Sequence, residues 1–175
     1  DQVDAKRSLA LLESRSGRHQ QARARLEDLL KQRPHDITAL DMLMTLDVVT
    51  KNWQEGERTL TRLRQVSGGN QAIALVAEGR FYEAQRRLSE ASRAYERATT
   101  VAPNSPEPLL SLVKVEVALG QAARSKTRLE SILATDQNHL FAHGLLGEVL
   151  SRAQLHEEAA SHYMEAVRVN PKWVT

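Results

Sequence analysis

The sequence predicts an all-α protein, a solenoid of stacked helix–turn–helix repeats. Three observations predict it. Pro34, Pro103 and Pro171 are separated by 69 and 68 residues, two periods of about 34 in each gap. Positions one period apart carry side chains of matched size. The composition is 41% apolar but only 4% aromatic, with eight Gly and five Pro. That balance favours long helices packed through aliphatic side chains over a sandwich or barrel.

The register divides residues 3–173 into one array of five repeats: 3–36, 37–71, 72–105, 106–139 and 140–173. The first turns at Gly17 and closes at Pro34, and Asp36 stands where a side chain can cap the next helix. The second turns at Lys51-Asn52 and is one residue longer, with Ser67-Gly68-Gly69-Asn70 as the place for the extra residue and Asn70 as the next cap. The third breaks at Gln85-Arg86-Arg87 and closes at Pro103. The fourth opens on Ser105 as cap and Pro106 in the first helical turn, turns at Gly120, and has Gln137 in place of the proline. The fifth opens near Asn138, turns at Gln154 and closes at Pro171.

Each second helix has one column that is always small: Ala22, Gly56, Ala91, Ser125 and Ala159. A small residue there lets antiparallel helices approach closely. Four residues on, the side chain is always large: Leu26, Leu60, Tyr95, Leu129 and Tyr163. Three further on come Leu29, Leu63, Ala98, Ile132 and Ala166, so that tyrosine is followed by alanine and leucine by a larger aliphatic. This is volume compensation on one helix face. First helices carry Leu12, Leu46, Phe81, Val115 and Val149 in one column, and Ala5, Ala39, Ala74, Pro108 and Ala142 in another. A third column holds Leu9, Leu43, Leu112 and Leu146, but Glu78 in the third repeat. A carboxylate there needs a partner or a route to water, so Glu78 is expected to be partly exposed or paired with a nearby arginine.

Gly79, Tyr82, Ala91, Tyr95, Ala98 and Pro103 in the third repeat, and Gly147, Ala159, Tyr163, Ala166 and Pro171 in the fifth, fall at the spacings of a tetratricopeptide repeat. The chain resembles that family over residues 3–173. The resemblance implies about ten helices in antiparallel pairs forming a right-handed superhelix. It also implies a concave groove lined by the first helices, which binds peptides or protein surfaces.

The groove positions implied by that register form a mixed strip. Val48, Val76, Leu110, Val117 and Phe141 are the candidate apolar contacts. Arg7, Arg15, Arg80, Glu83, Lys114, Glu148 and Arg152 are the candidate polar rim. Such a strip suits an extended or helical segment of a partner. The Lys/Asn pairing with which some family members clamp a C-terminal carboxylate is absent at the matching positions.

The residues carry little chemistry beyond this. There is no cysteine, glycine-rich phosphate loop, paired-carboxylate motif or nucleophile signature, so no enzyme activity and no cofactor is expected. His139 and His143 are four apart and His156 and His162 six apart, but no third ligand is spaced to join either pair, and no metal site is expected. The net charge of +2 is small, acidic residues interleave the arginines, and only seven aromatics are present, so nucleic acid is not expected as a partner. No apolar run approaches a membrane span. The expected function is a non-catalytic protein–protein interaction scaffold. The alternative is the repeat region of a larger bacterial envelope, exopolysaccharide-secretion or glycosyltransferase protein that recruits a subunit or substrate. The last helix has no polar capping helix after it. A longer array, or another domain or subunit covering that end, is therefore expected; in an excerpt of such an array the exposed Tyr163, Val167 and Val169 would drive a dimer. The sequence does not separate cytoplasm from periplasm.

Overall fold

The computed structural model describes residues 2–68 and 71–172. Within them lie ten helices: α1 (Gln2–Arg15), α2 (His19–Gln32), α3 (Ile37–Val49), α4 (Trp53–Ser67), α5 (Ala72–Ala84), α6 (Leu88–Val101), α7 (Pro106–Ala118), α8 (Ala122–Thr135), α9 (Leu140–Arg152) and α10 (His156–Val169). They form two compact units, Asp1–Pro103 and Asn104–Thr175. In the first, α3 packs on α1, α2, α4 and α5, and α5 on α4 and α6; in the second, α9 packs on α7, α8 and α10.

The helices differ by their place in the stack. First helices lie between neighbours and are apolar on several sides. Thus α3 buries Ala39, Leu40, Leu43, Met44, Leu46 and Asp47, and α9 buries residues 142–147 together with Val149 and Leu150. Second helices bury a single stripe: Gly56, Thr59, Leu60, Leu63 and Ser67 in α4. The small column is buried in all five repeats, as close helix approach requires. The core columns of α1 behave differently. Leu9 and Leu12 are 45% and 56% exposed, whereas Leu43, Leu46, Phe81, Leu112, Val115, Leu146 and Val149 are buried.

Every repeat turns by the same device. A residue in the left-handed region, at Gly17, Lys51, Arg86, Gly120 and Gln154, follows each first helix. The next N–H then donates five residues back: Arg18 to Glu13, Asn52 to Asp47, Arg87 to Tyr82, Gln121 to Glu116 and Leu155 to Leu150. This is a Schellman closure, satisfying carbonyls that the helix end leaves free.

The side chains at that same column form a motif invisible in the hydrophobic pattern. Glu13, Asp47 and Glu116 are buried and reach twelve residues on, to the second helix. Arg25 donates to both Glu13 oxygens at 2.6 and 2.9 Å, Thr59 donates to Asp47 at 2.8 Å, and Arg128 donates to Glu116 at 3.0 Å. Arg23 adds a link from α2 to Asp47 of α3, tying one repeat to the next. Glu78 is half-buried and pairs with Arg64 of α4 at 2.9 Å.

Capping departs from expectation in two places. Asp36 accepts from the Ala39 N–H at 2.9 Å, as its position predicts. Ser105 precedes α7 but makes no capping bond through its side chain. His139, not Asn138, caps α9, its Nδ1 accepting from the Ala142 N–H at 3.1 Å. Asn138 is instead one residue too early, and accepts from Arg168. Asn70 and Trp173 lie outside the described residues.

Candidate binding cleft

Between α7 and α9, in the second unit, lies a cleft of about 550 Å³. Leu110, Val113, Lys114, Val117 and Ala118 line it from α7, and Leu145, Glu148, Val149 and Arg152 from α9. On both helices the lining recurs every three or four residues, so each helix offers one face. Val113, Leu145 and Val149 are buried floor belonging to the core of this unit. Leu110 is exposed at one edge, and Val117 is half-buried. Lys114, Glu148 and Arg152 stand exposed around them, with Arg152 donating to Glu148 at 2.9 Å. The arrangement offers apolar surface framed by two cations and one carboxylate.

Five of the residues expected to line a groove therefore meet in one cleft: Leu110, Lys114, Val117, Glu148 and Arg152. Phe141 lies one turn before Leu145 on α9, its ring edge-on to His139 at 6.5 Å between centroids. Val113, Ala118, Leu145 and Val149 were not among the expected residues. Their signal is the 3–4 spacing on α7 and α9, which makes one side chain serve both core and cleft.

The first unit places its candidates otherwise. Val76 is 4% exposed, so it offers no surface to a partner, contrary to expectation. Val48 packs against the core with Met42 and Trp53. Arg7 pairs with Asp36 at 2.5 Å and Asp4 at 3.2 Å. Arg80 pairs with Asp41 and donates to Thr45 at 3.2 Å, joining α5 to α3. Glu83 accepts from the Tyr95 hydroxyl at 2.9 Å. These polar side chains hold helices together.

The histidines pair differently from their sequence spacing. His143 and His162 face each other through Nδ1 at 3.0 Å, and His143 Nε2 lies 3.0 Å from the Gln137 carbonyl. That carbonyl only accepts, so Nε2 of His143 carries a proton and donates to it. Burial first, and then the neighbouring His143, push the His162 pKa below the usual imidazole range. Among the described residues, no three His, Asp or Glu converge as metal ligands.

Residues 75–149 match a family model described as the tetratricopeptide repeat. That stretch is similar to the tetratricopeptide repeat. Solved structures share the chain's fold, three of them as follows. PilF of Pseudomonas aeruginosa is 19% identical, with a TM-score of 0.71 over 96% of this chain and 76% of that one. A thermophilic TPR protein of Thermus thermophilus is 20% identical, with a TM-score of 0.68 over 98% and 93%. YrrB, described as a TPR protein with an unusual peptide-binding site, is 16% identical, with a TM-score of 0.58 over 97% and 87%. At these identities the likeness shows the fold, an all-α helical-repeat solenoid. No curated protein matches the chain in sequence. No described helix is long and apolar enough to cross a membrane.

Proposed function

We propose that the chain is a non-catalytic protein–protein interaction scaffold whose α7–α9 cleft holds a peptide or protein segment. The observation supporting this is the lining: an apolar floor with Lys114, Glu148 and Arg152 around it. Apolar side chains entering the cleft gain roughly 25 cal/mol for each Å² removed from water. The rim charges contribute less energy and more orientation, because they remain in solvent. A volume of about 550 Å³ suits one or two anchor side chains better than a whole segment. The partner would therefore present anchors at helical or alternate-residue spacing and lie across the first-helix surface. Phe141 extends the apolar strip by one turn.

The test is selection of binders from a displayed peptide library, followed by titration calorimetry. Leu110→Asp and Val117→Asp should each weaken selected peptides by about tenfold or more while helicity is unchanged. Peptides that bind both variants as tightly as the parent chain would place recognition elsewhere.

A further inference from the structure

In the first unit, helices α2 and α4 both pack on α3, and between them lies a furrow of about 360 Å³. Its floor is Leu30 and Leu43, which share one core as Leu133 and Leu146 do in the second unit. Both floor residues are almost fully buried, so the furrow offers little apolar surface. Its walls are charged. Arg23 pairs with buried Asp47 and lies 3.7 Å from Glu27, and Arg58 pairs with Glu55 at 2.6 Å. Lys31 of α2 and Arg62 of α4 are exposed, and among the described residues their side chains form no ion pair or hydrogen bond. The acidic wall residues are thus matched within the furrow, and two cations are not.

The repeat fold does not require this excess. Arg58 and Arg62 stand two and six residues after the small column of α4, and α6 repeats them as Arg93 and Arg97, all four exposed. At those positions the second unit has Thr127 and Ser131 in α8 and Ser161 and Glu165 in α10, and α8 has Ala134 in place of Lys31. Arginines four apart on one helix face repel each other, which costs stability. Lys31 lies in the last turn of α2, where the helix dipole favours a cation, but Arg62 and Arg97 lie before the last turns of α4 and α6. The first unit keeps positive charge where the second builds the same helices without it.

We propose that the α2–α4 furrow docks an acidic segment of a protein partner, whose carboxylates meet Lys31 and Arg62. Those carboxylates supply the counter-charge that Glu27 and Glu55, engaged by Arg23 and Arg58, do not. A polypeptide also brings backbone N–H groups that can donate to Glu27 and Glu55, whereas a phosphate chain sets only acceptors against those two carboxylates. No aromatic side chain lines the furrow to stack a base. The charged walls face water, so binding is salt-sensitive. The furrow is separate from the α7–α9 cleft and does not rest on the function proposed for that cleft.

Fluorescence anisotropy of a labelled glutamate-rich peptide, titrated with the whole chain, tests this. The peptide should bind at low salt and be released by about 0.5 M NaCl, where charges are screened within a few ångströms. Glutamine in place of its glutamates should abolish binding. The double variant K31E/R62E alters two exposed side chains, should keep its helicity by circular dichroism, and should weaken the peptide by about tenfold or more. The double variant R15E/R86E changes the net charge equally, at exposed helix ends outside the furrow, and should bind as the parent chain does. Equal weakening by the two double variants would overturn the proposal, since net charge alone would then govern binding. So would a peptide that fails to bind at low salt, or a single-stranded oligonucleotide that binds more tightly than the peptide.

Discussion

Gly147 on α9 lies against the ring of Tyr163 on α10. A Cβ at Gly147 would come within 2.7 Å of Tyr163 Cε1 and 2.9 Å of Cζ. Gly79 and Tyr95 repeat the relationship in the third repeat. Where the second helix carries Leu26, Leu60 or Leu129 instead, the residue at the glycine position is Ala10, Met44 or Val113. Volume removed from one helix is thus returned by the other, as close packing requires.

Gly147→Ala should therefore overpack the fifth repeat and destabilise the chain by about 1–3 kcal/mol. In a Tyr163→Leu background the same change should be much milder. Urea unfolding of the four proteins in that cycle should give a coupling of about 0.5–3 kcal/mol. Equal effects in both backgrounds would mean the ring is not what excludes the methyl.

The turns make a second prediction. Lys51 and Gln154 hold the left-handed conformation that glycine holds at Gly17 and Gly120. Lys51→Gly and Gln154→Gly should each stabilise the chain by about 1 kcal/mol, the strain that a side chain adds there. Gly120→Ala should destabilise by a similar amount although nothing lies within 4 Å of the added methyl, which isolates backbone strain from clash. Thermal unfolding of the three variants reads both signs.

Asp47 is fully buried between Arg23 and Thr59. Asp47→Ala should cost about 3–5 kcal/mol, because it leaves the partners of a buried pair uncompensated. Asp28→Ala, which removes the exposed Lys6–Asp28 pair at 3.0 Å and an exposed hydrogen bond from Gln32 at 3.3 Å, should leave stability almost unchanged. Similar losses for both would remove the distinction between the buried column and surface pairs.

The burial of His162, and then its contact with His143, give stability a pH dependence. The His162 pKa is lower folded than unfolded, so the unfolded chain binds more protons in the interval between the two values. Its contribution is complete above the ordinary histidine value near 6.5 and is lost as pH falls from there through the folded value. Glu130 and Glu158 oppose the shift; Lys126 and, more strongly, His143 add to it. Denaturant midpoints between pH 5 and 8 should fall on acidification, and His162→Asn should flatten that slope. An unchanged slope in the variant would assign the dependence to other groups.

The sequence discloses the fold because the small, large and compensating columns recur at one spacing. Glu78 stands out for the same reason, and Arg64 meets it as a half-buried carboxylate requires. The Glu13, Asp47 and Glu116 column was not legible. In sequence these are ordinary charges near a helix end, and their partners sit across a turn. Nor was the exposure of Leu9 and Leu12, since a column records what a side chain can pack against, not whether another helix covers it. The cleft was half legible: its edge residues lie at the positions the register implies, while Val113, Leu145 and Val149 look like pure core. Val76 errs the other way, because register specifies the direction of a side chain without the depth of packing around it.

Arg64 and Glu78 have a further consequence. A stack whose joints are all leucine on leucine can slip by a whole repeat, or exchange a repeat with a neighbouring molecule, and lose little energy. The α4–α5 joint carries charge where Leu30–Leu43 and Leu133–Leu146 carry methyl groups. A slipped pairing would bury a lone carboxylate or guanidinium against leucine, a penalty of several kcal/mol. The pair thus acts as an address within a repetitive chain. It should suppress misfolded, domain-swapped arrangements more than it deepens the native well.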